Sequence, residues 1–572
     1  MLTKGKEYDV IIIGGGATGA GTARDCALRG LSVLLVERYD FTAGATGRNH
    51  GLLHSGARYA VTDRESATEC IKENMILRRV ARHCVEETGG LFITLPEDDL
   101  GYQKLFVESC EAAGIRAEVI DPELARRLEP SVNPTLTGAV KVPDGAIDPF
   151  RLTTANVVDA TMHGADVLTY HEVTGLIRNG DRIQGVCLTD VRTGARSEAR
   201  GRLVINAGGI WGAGIAAKAG VTVNMFPAKG SLLIFGHRIN NLVINRCRKP
   251  ANADILVPGD TICLIGTTSD RVPYDQIDHM TVTPEEVDIL MSEGAKLAPS
   301  LAHTRILRAY AGVRPLVTSD DDPSGRSISR GIVCLDHATR DGLEGFITIT
   351  GGKLMTYRLM AEWATDLAMR KLGESDPGCV TADKPLPGSE PAEVKKEKKR
   401  LKGWNRRKSH VIELSTEQLA AEGRHGTMSR KIDTRDAASE ALVCECEQVS
   451  VGEVNYAIDE LHVHNLLNLR RRTRLGMGTC QGQLCACRGA GLLAKAGACA
   501  DAALADLGWF INERWKGMSP VAWGETIKEV QLMSWLYEGV GGLTEGRRQK
   551  MDAMADKGEQ DAEPAAKTEE KE

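Results

Sequence analysis

The chain has 572 residues, a formal charge of −6, and 42% hydrophobic and 26% charged residues. Those values exclude a fully disordered or fibrous chain and predict about two to four domains of roughly 100–200 residues each. Mild acidity and only 4% aromatic residues exclude nucleic acid as the main partner, because a phosphate backbone needs a concentrated basic face and single strands need stacking platforms.

Residues 1–10 are polar, and the apolar run 10–13 is too short for a signal peptide. No run reaches the ~18 apolar residues of a spanning helix. A cytosolic chain is expected, held on the cytosolic face of a membrane by a partner if at all. Its 15 cysteines are many for a reducing compartment, so clustered ones read as metal ligands. Scattered ones (Cys26, Cys70, Cys84, Cys110, Cys187, Cys247, Cys263, Cys334 and Cys379) read as buried structural thiols.

Residues 8–13 read as a buried parallel strand. Gly14, Gly16 and Gly19 follow as G-x-G-x-x-G, residues 17–29 read as a helix, and 31–37 as a second strand ending on Glu37. Gly14 permits the tight turn, Gly16 lets the backbone approach a pyrophosphate, and Gly19 lets helix and strand pack. The helix N-terminus supplies positive charge, and Glu37 suits a ribose hydroxyl. The next loop, 42–51, is rich in small residues and can wrap the rest of a large, permanently held cofactor. Far downstream, 345–350 reads as a strand, and Gly351-Gly352-Lys353 opens a helix whose N-terminus suits the reduced flavin ring. Two such units far apart in sequence fit a flavoprotein better than a soluble NAD enzyme.

Residues 386–440 are polar and charged. Their run 395–400 reads as a solvated face or linker, with a docking patch for a partner or anionic lipid as the alternative. A compact Cys-rich unit follows. Cys444 and Cys446, then Cys480 and Cys485, form C-x-C … C-x4-C, the four thiolates a [2Fe–2S] cluster needs, with zinc as the alternative. Cys487 is a fifth nearby thiol, and Cys499 reads as a bystander. Arg470, Arg471, Arg472 and Arg474 read either as a solvated helix end or as charge offsetting the cluster. Residues 500–546 look helical, with Trp509, Trp515, Trp523 and Trp535 available to pack. The Ala/Glu/Lys/Asp-rich tail from 549 reads as disordered.

The stretches IIIGGGATGAG, ATGRNHGLLHSGARYA, VPDGAIDPFRL, AGVRPL and GFITITGGKLMTYRLMAEW resemble the FAD-dependent glycerol-3-phosphate dehydrogenases of the DAO flavoprotein superfamily. With the Cys-rich unit, the chain to about residue 546 resembles catalytic subunits of that family's anaerobic, quinone-linked complexes. The resemblance implies an α/β fold: a Rossmann-like FAD domain interleaved with a mixed-sheet substrate domain (1–385), a charged linker (386–440), a mainly helical BFD-like [2Fe–2S] domain (441–496), a helical segment (497–548) and a tail (549–572). It also implies oxidation of sn-glycerol 3-phosphate to dihydroxyacetone phosphate. The implied partners are a second soluble subunit and a membrane-associated iron–sulfur subunit that delivers electrons to quinone. FMN at a subunit interface is a further open reading. A two-electron flavin beside a one-electron cluster implies stepwise discharge into a relay.

By the same resemblance, the cofactor set is Gly14, Gly16, Ala17, Thr18, Gly19, Glu37 and Arg38; Thr46, Gly47, Asn49, His50 and Gly51; Ala207 and Gly208; and Gly351, Gly352, Lys353 and Leu354. A phosphomonoester needs fixed cations, which Arg58, Arg314, Arg330 and Lys353 supply, with Tyr59 adding a hydroxyl. Arginine is a poor base. His54 has a suitable unperturbed pKa and precedes Arg58 by four residues, and His50 is a second candidate for the C2 hydroxyl proton. Two rival readings stand beside this one. One is a related flavin dehydrogenase for a 2-hydroxy acid or secondary amine. The other is a conduit subunit without turnover.

Overall fold

The structure is a computed structural model that describes residues 6–317, 331–390, 415–497 and 500–543. Its first layer is an eight-stranded sheet. Five strands run parallel in the order Phe346–Gly351, Arg196–Asn206, Glu7–Ile13, Val33–Val36 and Asp166–Leu168. Glu7–Ile13 takes the middle place because Val10, Ile11 and Ile12 can be covered from both faces, and all three are fully buried. Helices Ala17–Leu28, Pro149–Met162 and Tyr357–Leu372 close one face through small residues such as Ala20, Ala23, Ala160 and Ala364. Antiparallel strands His171–Asn179 and Arg182–Asp190 continue from the first half of Arg196–Asn206. The order brings both glycine turns, after Ile13 and at Gly351, to one end of the sheet.

The second layer is a nine-stranded mixed sheet. Its long antiparallel pair, Met225–Phe235 and Ile306–Val317, runs the length of the site. Val243–Arg246 lies parallel to Gly90–Thr94 and joins the two halves. Helix Pro284–Leu297 backs this sheet, started by a Thr283/Glu286 capping box with Pro284 in its first turn.

The third unit is a short hairpin (Leu442–Cys444 with Val449–Ser450) and helices Val451–Glu460, Leu466–Thr473, Cys485–Lys495, Ala500–Met518 and Gly524–Ser534 around one core. Three expectations change here. The described part of the expected linker, residues 415–440, is not a spacer: helix Thr416–His425 buries Ala421 in that same core, and Arg424 forms a buried ion pair with Glu453. The arginines after Leu469 are not a solvated helix end. Arg471 and Arg472 pair with Asp40 of the first unit at 2.9 and 2.6 Å, and Arg474 pairs with Glu447 and Asp260. The tryptophans do not pack. Helix Ala500–Met518 buries Leu507, Phe510, Arg514 and Met518 on one stripe, which leaves Trp509 and Trp515 about half exposed and Trp535 67% exposed. The run 395–400, Cys499 and the tail from 549 lie outside the described residues. Cys26, Cys70, Cys84, Cys110, Cys247 and Cys263 are buried thiols, while Cys187, Cys334 and Cys379 are half-buried.

Candidate functional site

The first glycine turn builds an anion cradle. Gly14 sits at φ +111°, and a Cβ there would lie 2.6 Å from Ala207 O. Gly16 begins helix Ala17–Leu28 without a side-chain cap, and no acid occupies the first turn. The helix's leading N–H groups are therefore left for a ligand's negative charge, apart from Ala17 N–H, which donates to Thr46 Oγ1 at 3.0 Å. Glu37 closes the turn by accepting from Gly15 N and Tyr39 N at 2.7 and 2.8 Å. Burial pushes its carboxyl pKa up, against the pull of those two donors. Arg38 pairs with Asp278 and stacks over the Tyr39 and Trp211 rings at the mouth.

A cavity of ≈ 590 Å³ runs from this cradle into the mixed sheet. It brings together Gly14, Gly16, Ala17, Thr18, Glu37 and Arg38 with Thr46, Asn49, His50, Ala207 and Gly208. Gly351, Gly352, Lys353 and Leu354 line it from the second glycine turn, and His54, Arg58 and Arg314 from the substrate side. An uncapped helix start, a glycine-lined approach and a buried acid at the second strand fit a dinucleotide such as FAD. Three expected cofactor contacts do not line this cavity. Gly19 is a packing residue whose Cβ would collide with Gly14 O, and Gly47 and Gly51 face a second cavity behind the loop. Arg330 lies outside the described residues.

On the substrate side, Arg58 Nη2 is held by Asp254 at 3.1 Å and by Ala251 O at 3.3 Å. Arg58 Nη1 is buried with no hydrogen-bond partner among the described residues, and the Arg58 side chain lines the cavity. Arg314 lies flat in a nest of acceptors: Thr267 Oγ1, Thr268 O at 3.0 Å, Lys229 O at 3.1 Å and Ser269 Oγ at 3.3 Å. Lys353 Nζ stands 4.6 Å from the Tyr59 ring centre, and the His54 ring is 5.3 Å from the same ring.

His54 Nδ1 accepts from Gly56 N at 3.1 Å. In the neutral ring that puts the proton on Nε2, so the expected proton acceptor stands as a donor, and acting as base through Nε2 would require giving up the Gly56 bond. Sequence reasoning missed the supports behind these residues. Asp254 anchors both Arg58 and Arg248. Asp144 is fully buried and accepts from Ser55 N and Oγ and from Asn245, which pins the His54 loop. Asp144 lies within VPDGAIDPFRL, but only spatial proximity reveals its task.

The four predicted thiols meet. Cys444 contacts Cys485, Cys485 contacts Cys480, and Cys480 contacts Cys446. Cys444 and Cys485 are buried, Cys446 and Cys480 half-buried, and Cys487 is exposed and apart. Among the described residues no three such side chains close around a single ion. Four thiols brought together from this spacing are the ligand number that a [2Fe–2S] cluster takes. Loop backbone comes close as well: a Cβ on Gly478 would lie 2.5 Å from Cys446 Cβ. No helix among the described residues is long and apolar enough to cross a membrane.

Residues 9–358 match the FAD dependent oxidoreductase (DAO) family, and residues 442–495 match the BFD-like [2Fe-2S] binding domain. The chain is 63% identical over 539 residues to the anaerobic glycerol-3-phosphate dehydrogenase A-subunit of Haemophilus influenzae, covering 94% of each. It is 62% identical over 549 residues to that of Escherichia coli K12, covering 96% of this chain and 98% of the relative. The A1-subunit of Haloferax volcanii is 42% identical, covering 93% of this chain and 90% of that one. In fold, the chain is similar to the FAD-complexed glycerol-3-phosphate dehydrogenase of Bacillus halodurans, with a TM-score of 0.68 at 21% identity over 90% of this chain and 95% of that one.

Proposed function

We propose, from the premise that the chain belongs to the FAD dependent oxidoreductase (DAO) family and to its anaerobic glycerol-3-phosphate dehydrogenase A-subunit branch, that it oxidises sn-glycerol 3-phosphate to dihydroxyacetone phosphate. The observation that carries the reading is one cavity lined by Arg58, Arg314 and Lys353 together with the dinucleotide cradle. A phosphomonoester is nearly a dianion at neutral pH and needs this many fixed cations.

FAD held by the Gly14–Gly16 turn and Glu37 would supply acceptance of a hydride from C2, and a [2Fe–2S] centre held by the four cysteines would supply one-electron transfer. The chain's own side chains do the rest. Arg58 donates to the substrate phosphate and keeps its angle through Asp254. Arg314 supplies a fixed charge positioned by Lys229 O and Thr268 O. Lys353 extends that charge toward the glycine turn beside Tyr59. His54 Nε2 donates to the C2 oxygen in its present tautomer and receives the C2 proton in the other. Cys444, Cys446, Cys480 and Cys485 hold the cluster, with Cys446 and Cys480 toward the surface where an electron leaves.

Electrons then pass through a second soluble subunit and a membrane-associated iron–sulfur subunit to quinone, at the cytoplasmic face of the membrane. The A-subunit relatives and the exposed Trp509, Trp515, Trp523 and Trp535 support a partner on the C-terminal helices. Where the assembled complex contains FMN, this reading assigns it to an interface with the second subunit.

The test is the visible spectrum of the anaerobically purified chain on addition of sn-glycerol 3-phosphate. Bleaching of the flavin band supports the reading. Bleaching by a 2-hydroxy acid or a secondary amine instead would overturn it. If no compound bleaches the chain or the assembled complex, it is a conduit.

A further inference from the structure

The loop that carries Cys480 is held from outside by its backbone carbonyls. Arg305 Nη2 donates to Thr479 O at 2.6 Å, Arg514 Nη2 to Cys480 O at 2.7 Å, and the Tyr537 hydroxyl to Gln483 O at 2.8 Å. Helix Ala500–Met518 presents Phe510 and Arg514 on one stripe, one turn apart. The Phe510 ring closes over Gly476 and Gly482, where added Cβ atoms would lie 3.0 and 2.7 Å from it. Arg514 is only 3% exposed, and Phe510, Met533 and Tyr537 beside it are buried, so its charge acts in a solvent-excluded site.

Other arginines around the cysteine segments have acids. Arg474 pairs with Glu447 and Asp260, Arg305 with Glu529, and Arg488 with Glu445. Among the described residues Arg514 makes no ion pair, and its Nε is buried with no hydrogen-bond partner. Its Nη1 lies against Met533 Sδ. The Cys480 sulfur, Tyr537 and, at longer range, Glu529 face the guanidinium and favour its charge, while Arg308 opposes it. A buried cation without a counter-charge is strongly unfavourable, so a fold that keeps one against a thiolate ligand has a negative centre to match it.

A [2Fe–2S] centre on four thiolates carries net negative charge, and reduction by one electron adds to it. We propose that Arg514 is a tuning residue for this centre: its fixed, buried charge favours the reduced state and so raises the reduction potential. The electron comes from the reduced flavin. No bond forms or breaks at Arg514, and the guanidinium keeps its proton throughout. The loop adds to the effect. Cys480 O turns outward to Arg514, while the N–H groups of Gly482 and Leu484 donate to the Cys480 sulfur. A unit charge roughly 10 Å from the added electron, at an effective dielectric of about 20, shifts the redox equilibrium by about tenfold. The inference rests on the reading that Cys444, Cys446, Cys480 and Cys485 hold the cluster, and it is independent of which substrate reduces the flavin.

The test is a redox titration of the full chain with FAD and cluster loaded, followed in the cluster's paramagnetic signal, for wild type, Arg514→Gln, Arg514→Lys and Arg488→Gln. Glutamine can keep the hydrogen bond to Cys480 O without the charge, and lysine keeps the charge without the fork. Arg514→Gln should lower the reduced-to-oxidised ratio at a fixed potential by about tenfold, a fall of about 59 mV in the midpoint of a one-electron centre. Arg514→Lys should stay near wild type. Arg488→Gln should move the midpoint far less, because Arg488 is paired with Glu445 and is 46% exposed. A wild-type midpoint in Arg514→Gln with the signal intact overturns the inference. An equal fall in Arg514→Gln and Arg514→Lys also overturns it, because the fork and not the charge would then be responsible. Loss of the signal from both Arg514 variants with flavin retained would make Arg514 a structural tie for the loop and overturn it as well. If wild type itself shows no such signal, the cluster reading fails and this inference falls with it, whereas a wild-type signal beside any of the other negative results leaves the cluster reading standing.

Discussion

Asp40→Asn probes the joint between the FAD-type unit and the Cys-rich unit. Asp40 and Arg472 are each only 1% exposed and meet at 2.6 Å. Removing one member of a buried pair typically costs about 3–5 kcal/mol, because the other charge is left stranded. Two features pull the value to the low end. Arg471 is 17% exposed and can turn to water, and Arg472 keeps its bond to Leu461 O. About 3 kcal/mol is expected, or roughly two decades in the docking equilibrium. Urea titration followed in the flavin and cluster bands would measure it, with hydrogen exchange at residues 37–42 and 461–474 as the local readout. The exposed pair Arg435–Asp433 is the control, and breaking it should leave the urea midpoint unchanged. Burial alone would raise the Asp40 carboxyl, but Arg472 and Arg471 outweigh it and hold it below its ordinary value. A carboxyl depressed in the folded state stabilises fully above its unfolded pKa of about 3.9 and loses that contribution as pH falls through the folded value. Wild type and Asp40→Asn should therefore converge in acid. An Asp40→Asn protein with wild-type midpoint and unchanged exchange at neutral pH would refute the reasoning.

Arg58→Gln removes a charge-assisted bond worth about 1.5–3 kcal/mol, so kcat/KM for sn-glycerol 3-phosphate should drop about 10- to 200-fold while flavin content stays at wild-type level. Gly14→Ala forces a side chain at φ +111° and 2.6 Å from Ala207 O, so the purified protein should lose its flavin absorbance, and full retention would contradict the cradle. Cys480→Ser should remove the cluster's visible and paramagnetic signals and leave substrate bleaching of the flavin intact. For Glu453, burial raises the carboxyl but Arg424 and His425 overcome it and set it at about 2. Its stabilisation is present above an unfolded pKa of about 4.3 and is lost as pH falls toward 2, so Glu453→Gln should be less stable at neutral pH and lose its disadvantage in acid.

The parts legible in the sequence were those where backbone geometry restricts residue choice. The strand, glycine turn, helix and second strand of residues 7–36 appear as read, because a tight turn at positive φ and an uncapped helix start leave a local signature. The cysteine spacing was legible for the same reason, since four thiols must reach one centre from a short chain segment. The illegible parts depend on contacts across long separations. Asp254 lies 196 residues from Arg58, and Asp40 lies 432 from Arg472. Nothing local marks either acid as a partner. Glycine patterns also overreached: Gly47 and Gly51 look like cofactor glycines in sequence but turn to the far side of their loop. The tryptophans misled because composition reports apolar mass without direction, and the helix stripe is set by Leu507, Phe510 and Met518.

Segment 37–51 carries more of the design than any motif within it. Glu37 closes the nucleotide turn, Asp40 docks the Cys-rich unit, and Thr46 receives the N–H at the start of the first helix. Asn49 O accepts from Tyr310 of the mixed sheet, and Arg48 faces both cavities. One short stretch thus touches all three units. Electron transfer between a two-electron and a one-electron centre needs them held at a constant separation, and loops are ordinarily the parts of a fold that vary most. Here the loop is anchored along its length by contacts to each unit, so it ties the glycine-turn cradle to the mixed sheet and to the Cys-rich unit.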